Sequence, residues 1–122
     1  VVLENHYKGK PETLSNLAKQ LFEAVRDVFK KENLNEFDAE DVCPGHTYFM
    51  AENERNLQNK FIYQVYPLLR EYYKDGILRQ NVTLKLANDN IVSLNQVISR
   101  DELHKILDKL SGVPLTNKAV ND

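Results

Sequence analysis

The sequence predicts a mainly α-helical protein, a small helical bundle that carries one short β-hairpin. Three observations lead to this fold class. Apolar residues recur at helical spacing in residues 12–32 and again in residues 53–74. Alternating apolar and β-branched residues at 82–94 surround a run of turn-forming residues, which indicates a hairpin. A capped amphipathic segment follows at 100–111 and predicts a closing helix.

The first long helix is predicted over residues 12–32. Pro11 suits a helix start because its missing N–H is not needed there, and Glu12 is favoured near a helix N-terminus. The polar faces carry both charge signs, so the apolar stripe is expected to face a core and not a membrane. Residues 1–10 are predicted to be an extended or irregular lead-in, and its His6 is given no role. The stripe consists of Leu14, Leu17, Ala18, Leu21, Val25, Val28 and Phe29.

An acidic connection is predicted over residues 33–44. Its carboxylates do not follow the order of a calcium-binding loop, so a solvated loop is the favoured interpretation. Leu34 and Phe37 are expected to lie under the helices. The carboxylates are those of Glu36, Asp38, Glu40 and Asp41.

The second long helix is predicted from about residue 53 to 66, with a further segment to Lys74. Its apolar face is broad, which predicts that it is the central element of the bundle. Pro67 lacks an N–H and its ring clashes with the carbonyl of Tyr63, so a kink or break is expected there. Gly76 is a suitable stop because it can adopt the left-handed conformation.

The sequence of the C-terminal third predicts a hairpin followed by a final helix. Asn88, Asp89 and Asn90 are turn residues within the hairpin. Ser99 and Glu102 form a capping box at the start of helix 100–111. One domain is predicted over residues 1–115, followed by a loose polar tail at 116–122.

Composition limits the classes of function. The 122 residues fit one domain, and 16 basic and 18 acidic side chains are interspersed to give a formal charge of −2. Such a surface argues against direct nucleic-acid binding, which depends on clustered lysine and arginine. No apolar run is long enough to span a bilayer, so we expect a cytoplasmic protein without membrane association. No phosphate-binding loop, zinc-protease or serine-hydrolase motif is present, so no catalytic residue is predicted and we expect a piece of a larger protein.

Two polar side chains near the second long helix are candidates for ligand contact. His46 follows a Pro-Gly turn and either faces a polar ligand or orders the turn by local hydrogen bonds. Arg55 opposes the helix dipole in the first turns of the helix, so it is either a solvated surface residue or a phosphate contact. Cys43 and His46 are too few for a zinc site, and no metal site is predicted. A Cys–His catalytic pair is disfavoured since the sequence shows only proximity.

Two short runs carry a resemblance to a known family. A G-H-[ST]-[YF]-F run is followed by a P-L-L-x-E-Y run at the end of a helix. In this order the runs resemble the C-terminal part of the McrB family, which comprises the AAA+ GTPases of 5-methylcytosine-specific restriction systems and their AAA ATPase relatives. The resemblance covers residues 12–76. The matching residues are Gly45, His46, Thr47, Tyr48 and Phe49, then Pro67, Leu68, Leu69, Glu71 and Tyr72.

The resemblance implies a helical lid that follows the nucleotide-binding core of an AAA+ protein. Such a lid closes over nucleotide, presents a cation or polar group to the phosphates, and contacts the neighbouring subunit of a ring. It implies no cofactor in this piece and ATP or GTP with magnesium in the parent protein. The implied partners are an upstream AAA+ core, neighbouring ring subunits and a nuclease subunit. His46 and Arg55 are the nucleotide-facing candidates.

A different class of function remains open. A free-standing helical interaction module would dock a partner through the tyrosine-rich face of the second long helix, and it predicts a large exposed apolar patch. The helical spacing of these tyrosines instead favours packing in the core over a base-stacking surface. The tyrosines are Tyr63, Tyr66, Tyr72 and Tyr73.

Overall fold

The computed structural model of the chain describes residues 2–86 and 90–111. These residues form a mainly α-helical bundle with one two-stranded antiparallel sheet, which confirms the predicted fold class. No helix within the described part combines the length and the apolar composition needed to cross a membrane. The helices are α1 (Val2–His6), α2 (Glu12–Val28), α3 (Ala39–Val42), α4 (Glu54–Lys60), α5 (Tyr66–Lys74) and α6 (Arg100–Ser111), and the strands are β1 (Thr83–Leu86) and β2 (Asn90–Ser93).

Helix α2 begins at the predicted residue and ends four residues early. Asn33 explains part of the stop, because its side-chain amide donates to the carbonyl of Asp27 (3.3 Å) in the last turn, where carbonyls lack helical partners. A 3-10 turn follows at Lys31–Asn33. The predicted apolar stripe is buried throughout, and it packs against α1, α4, β1 and α6. Helix α2, and not the second long helix as expected, is therefore the element on which most others pack.

The predicted irregular lead-in is wrong, because residues 2–6 form helix α1. Leu3 and Tyr7 lie four residues apart and so share one helical face, and both are buried. The Tyr7 amide donates to the Leu3 carbonyl at 3.0 Å. One turn with two apolar anchors is too short to give a periodic signal, so the sequence pattern does not predict this helix.

The second long helix runs from residue 54 to 74 and adapts to Pro67 without breaking. Helix α4 starts after Asn53, whose side chain accepts from the amide of Asn56 at 2.8 Å. A π-helical turn at Phe61–Val65 follows, in which the Tyr66 amide donates to the Phe61 carbonyl. Pro67 then lies in the first turn of α5, where a missing N–H costs little. A π turn immediately upstream of the proline thus takes the place of the break that is one of the two expected outcomes, a kink or a break.

The C-terminal elements match their predictions where they are described. Strands β1 and β2 pair with Leu84 opposite Val92, and both side chains are buried against the helices. The Ser99 hydroxyl accepts from the Glu102 amide at 3.1 Å, which confirms the predicted cap of α6. The turn residues 88 and 89 and the predicted tail at 116–122 lie outside the described residues.

The acidic connection contains the short helix α3 and is only partly a loop. Leu34 is buried as expected and pairs with Leu78 through an isolated bridge. Phe37 is 47% exposed, so the expectation that it lies under the helices is wrong. Glu36 has a φ of 64°, a left-handed conformation that reverses the chain direction just before Phe37.

A polar network centred on the buried Gln58 joins α4 to α6. Gln58 is 7% exposed, and its amide nitrogen donates to Asp108 at 2.8 Å. Its amide oxygen therefore faces Nδ1 of His104 at 3.0 Å, so that Nδ1 carries the donated proton. Since both groups of the Gln58 amide are used, the network fixes the register of α6 against α4.

We expect Gln58→Met to lower the free energy of unfolding by about 2 kcal/mol, because it keeps the side-chain volume and removes both hydrogen bonds. Urea denaturation measures the change. The same substitution at the exposed Gln80 is the matched control and should change stability by less than about 0.5 kcal/mol. Equal stability of the two variants would contradict a stabilising network.

Candidate functional site at the Gly45–Phe49 corner

The predicted site residue His46 lies in a surface turn that we call the corner, residues 45–49. A 3-10 helix, His46–Phe49, follows Gly45 and places the Phe49 side chain in the core while Thr47 remains exposed. Gly45 has a φ of −78°, and a Cβ added to it would meet no atom within 4 Å, so the fold itself does not require glycine there. The corner thus has one side fixed by the core and one side open.

An aromatic group fixes the His46 ring. The imidazole stacks on Phe22 of α2 with the centroids 4.7 Å apart and 26° between the planes. Phe49 meets the same phenyl ring edge-on at 5.4 Å. The guanidinium of Arg26 lies 5.6 Å from the centre of that ring. His46 thus stacks on a phenyl ring that is itself held by Phe49 and Arg26, at the boundary between core and solvent.

A small cleft of about 180 Å³ opens beside this group, between α1, α2 and the corner. Lys19 on one wall is held by Glu4 at 3.8 Å. The imidazole of His46 and the guanidinium of Arg26 line the cleft next to the corner, and the carboxylates of Glu4 and Glu23 line it as well. The lining residues are Leu3, Glu4, Lys19, Phe22, Glu23, Arg26 and His46.

The backbone around the corner is held by side chains that no sequence motif marks. The hydroxyl of Tyr7 donates to the Phe49 carbonyl at 2.6 Å and accepts from the Ala51 amide at 3.0 Å. The ammonium of Lys60 donates to the carbonyls of Thr47 (3.2 Å) and Met50 (2.6 Å). Tyr7 lies far upstream of the corner and Lys60 lies at the end of α4, so no local pattern connects either residue to it.

Arg55, the second predicted site residue, lies on the exposed face of α4 in its first turn. It makes no hydrogen bond or ion pair with any residue that the structure describes. Its neighbour Glu54 accepts from the hydroxyl of Thr13, at the start of α2. Phe22, the partner of His46, is nine residues further along α2, or about 14 Å at 1.5 Å per residue. Within the described residues no hydrogen bond, ion pair or ring contact joins His46 to Arg55, and the α2 residues that meet His46 and the neighbour of Arg55 lie nine positions apart.

Cys43 is half-buried, and burial raises the pKa of its thiol while the nearby Arg26 charge acts in the opposite direction. A raised pKa leaves less thiolate at neutral pH, which is unfavourable for a nucleophile. Its sulfur lies 3.7 Å from the carbonyl oxygen of Pro44. Among residues 2–86 and 90–111, no three His, Cys, Asp or Glu side chains are grouped so as to hold a metal ion.

The tyrosines of the second long helix range from buried to exposed. Tyr66 is buried and its hydroxyl donates to the Gln96 carbonyl at 3.2 Å. Tyr72 meets Phe29 edge-on at 5.9 Å. Tyr63 is about half exposed and is covered by the guanidinium of Arg100, 4.6 Å from its ring centre. The core-packing interpretation therefore holds fully for Tyr66 and in part for Tyr72 and Tyr73, which are half-buried against the core, but not for Tyr63.

The helical bundle and its corner define a class of protein, an α-helical lid, because residues 20–79 match the model of the family described as "McrB, alpha-helical lid domain". Residues 20–79 are therefore an McrB-like AAA+ lid region. It includes both the corner and the Pro67–Tyr72 run, which confirms the resemblance drawn from those motifs. Comparison with curated proteins and with solved structures returns no significant match.

Burial gives the protein a predicted sensitivity to alkaline pH. Desolvation raises the pKa of Tyr7, with the Ala51 backbone bond acting against it, and burial also raises the pKa of Tyr66 and of Tyr72. An unfolded tyrosine has a pKa of about 10. Above that pH the folded chain holds tyrosine protons that the unfolded chain has lost. The stability contributed by these tyrosines is therefore fully present below about pH 10, and it falls as the pH rises towards their folded pKa values.

We expect Tyr7→Phe to reduce the steepness of this alkaline loss, because one group with a raised pKa is removed. Urea denaturation over about pH 8 to 11 measures the slope. From about pH 6 to 8 the difference in stability between the two chains should stay constant, which serves as the internal control. An identical slope in both chains above about pH 10 would show that Tyr7 does not contribute.

Proposed function

We propose that this chain is the lid of an McrB-like AAA+ NTPase and is inactive by itself. In the proposal it closes over ATP or GTP with magnesium, held by an AAA+ core upstream in the same protein. It also contacts the neighbouring subunit of a ring. The observation that carries the proposal is the family match over residues 20–79, which includes the corner motif.

The geometry of the corner supports the nucleotide-facing part of the proposal. A lid needs a polar group held in one place on a surface that can approach another domain. His46 meets this requirement, because it stacks on Phe22, which Phe49 supports, while the flanking Gly45 and Thr47 are exposed. Phosphates would meet the imidazole together with the guanidinium of Arg26 at the edge of the cleft.

Arg55 supports the proposal in a different way. Its guanidinium has no partner in the described part of the chain and lies near a helix N-terminus, where an anion is favoured. His46 meets α2 at Phe22, whereas the neighbour of Arg55 meets α2 at Thr13. The two residues would therefore serve different surfaces. We assign His46 to the nucleotide side, and Arg55 to phosphate or to an acidic group of the adjoining domain or subunit.

The cellular setting follows from the same proposal. The parent protein would be cytoplasmic, would assemble as a ring, and would act with a nuclease subunit if it belongs to a restriction system. The described surface gives little support to a free-standing interaction module. Such a module needs one contiguous apolar patch, whereas the exposed large apolar side chains among the described residues come from different segments of the chain; they are Phe37, Tyr63, Ile91 and Val97.

We expect His46→Ala and Arg55→Ala, each in the full AAA+ protein that carries this lid, to lower nucleotide hydrolysis by roughly a hundredfold, as for loss of one preorganised contact to the transferring phosphate. Steady-state phosphate release measures the change. Arg55→Ala should leave the free energy of unfolding within about 0.5 kcal/mol of the starting value. The 122-residue chain alone should hydrolyse neither ATP nor GTP.

Lys74→Ala is the matched control for Arg55→Ala. It removes an exposed cation about 28 Å further along the same continuous helix, and turnover should not change. Full turnover in both site variants would reject the site assignment and leave the domain assignment standing. Hydrolysis by the isolated chain would reject the proposal of an inactive lid.

A further inference from the structure

The corner depends on bonds from outside its own sequence. A 3-10 helix of four residues is a weak structure whose terminal carbonyls have no partner within it. Its own backbone bonds, from the Tyr48 amide to the Gly45 carbonyl and from the Met50 amide to the Thr47 carbonyl, are both 3.3 Å long. Other groups must therefore fix its position relative to α2.

Tyr7 and Lys60 supply these groups from opposite directions in the chain. The Tyr7 side chain is 3% exposed, and its hydroxyl uses both its donor and its acceptor function on the backbone of residues 49 and 51. The half-buried Lys60 places its ammonium between the carbonyls of Thr47 and Met50, at the C-terminal end of the 3-10 helix. A cation is the favoured partner for carbonyls at that end of a helix.

The link from these bonds to His46 passes through two rings. The backbone bonds fix Phe49, Phe49 packs edge-on against Phe22, and Phe22 is the ring on which His46 stacks. The imidazole of His6 also lies 3.3 Å from the Ala51 carbonyl, which adds a third contact from the N-terminal segment.

We infer that Tyr7 and Lys60 are positioning residues, which set the orientation of the His46 imidazole and so its competence in the lid. The part of this inference that concerns hydrolysis rests on the proposed function, whereas the part that concerns the orientation of His46 does not. A displacement of about 1 Å in a group that contacts a reacting phosphate is enough to lower turnover by roughly ten- to a hundredfold.

The first experiment measures the His46 and Phe22 ring resonances by NMR in the 122-residue chain. Tyr7→Phe and Lys60→Met should each shift both sets of resonances, because the ring stack is displaced. Tyr73→Phe removes a hydroxyl that donates to the Gln80 carbonyl away from the corner, and Lys74→Met removes an exposed cation. These controls should leave the His46 resonances unchanged. Unchanged His46 resonances in both Tyr7→Phe and Lys60→Met would overturn the inference.

The second experiment measures hydrolysis in the full AAA+ protein. Lys60→Met should lower turnover by roughly ten- to a hundredfold, Lys60→Arg should restore most of it, and the double variant Lys60→Met/His46→Ala should be no slower than His46→Ala alone. If the double variant instead showed the product of the two single losses of turnover, the inference that Lys60 acts through His46 would be overturned. If His46→Ala itself leaves turnover unchanged, the proposed site fails, and the resonance measurement still decides whether Tyr7 and Lys60 orient the ring.

Discussion

Burial of the apolar stripe of α2 is the interaction on which the rest of the structure depends. Six of the seven residues predicted for the stripe lie within the helix and Phe29 follows directly, and all seven are buried. Each large apolar side chain removed from water contributes about 1.5 to 3 kcal/mol, so the stripe as a whole is a major source of stability. Helix α1, the corner, α4, β1 and α6 all obtain their own burial by packing on it. The position of His46 follows from this packing, because His46 stacks on Phe22, and Phe22 lies at the margin of the apolar stripe of α2.

Apolar packing alone does not fix how these elements are oriented, and a small number of polar bonds make that choice. Gln58 joins α4 to α6, and Tyr7 and Lys60 hold the backbone around the corner. Arg70 donates to the Leu94 carbonyl at 3.1 Å, which fastens the end of the hairpin to α5. Buried polar groups without partners are costly, so each of these bonds excludes alternative packings that would leave a carbonyl or amide unpaired.

The folded unit is larger than the region that matches the lid family. The match ends at residue 79, yet β1 covers α2, and α6 packs on α2, on α4 and on the π-helical turn. Leu84, Val92, Leu103 and Leu107 are fully or almost fully buried in the same core as the matched residues. The hairpin and the last helix therefore share one core with the matched region and contribute to its stability.

The sequence by itself determined the elements whose signals are local and repeated. The stripe of α2, the Ser99 cap of α6 and the alternation in β1 each repeat or depend on residues a few positions apart, so they could be predicted along with the fold class. The corner and the Pro67–Tyr72 run likewise sufficed for the family resemblance. The end of α2, the one-turn helix α1 and the exposure of Phe37 could not be predicted, because each depends on very few residues.

Only the tertiary structure decided what surrounds the candidate site. It brought His46 and the neighbour of Arg55 to different residues of α2, brought Tyr7 to the corner from far upstream, and replaced the break at Pro67 with a π turn. The physical reason is that side chain to backbone bonds between distant segments leave no periodic trace in a sequence and form only once the apolar core has brought those segments together.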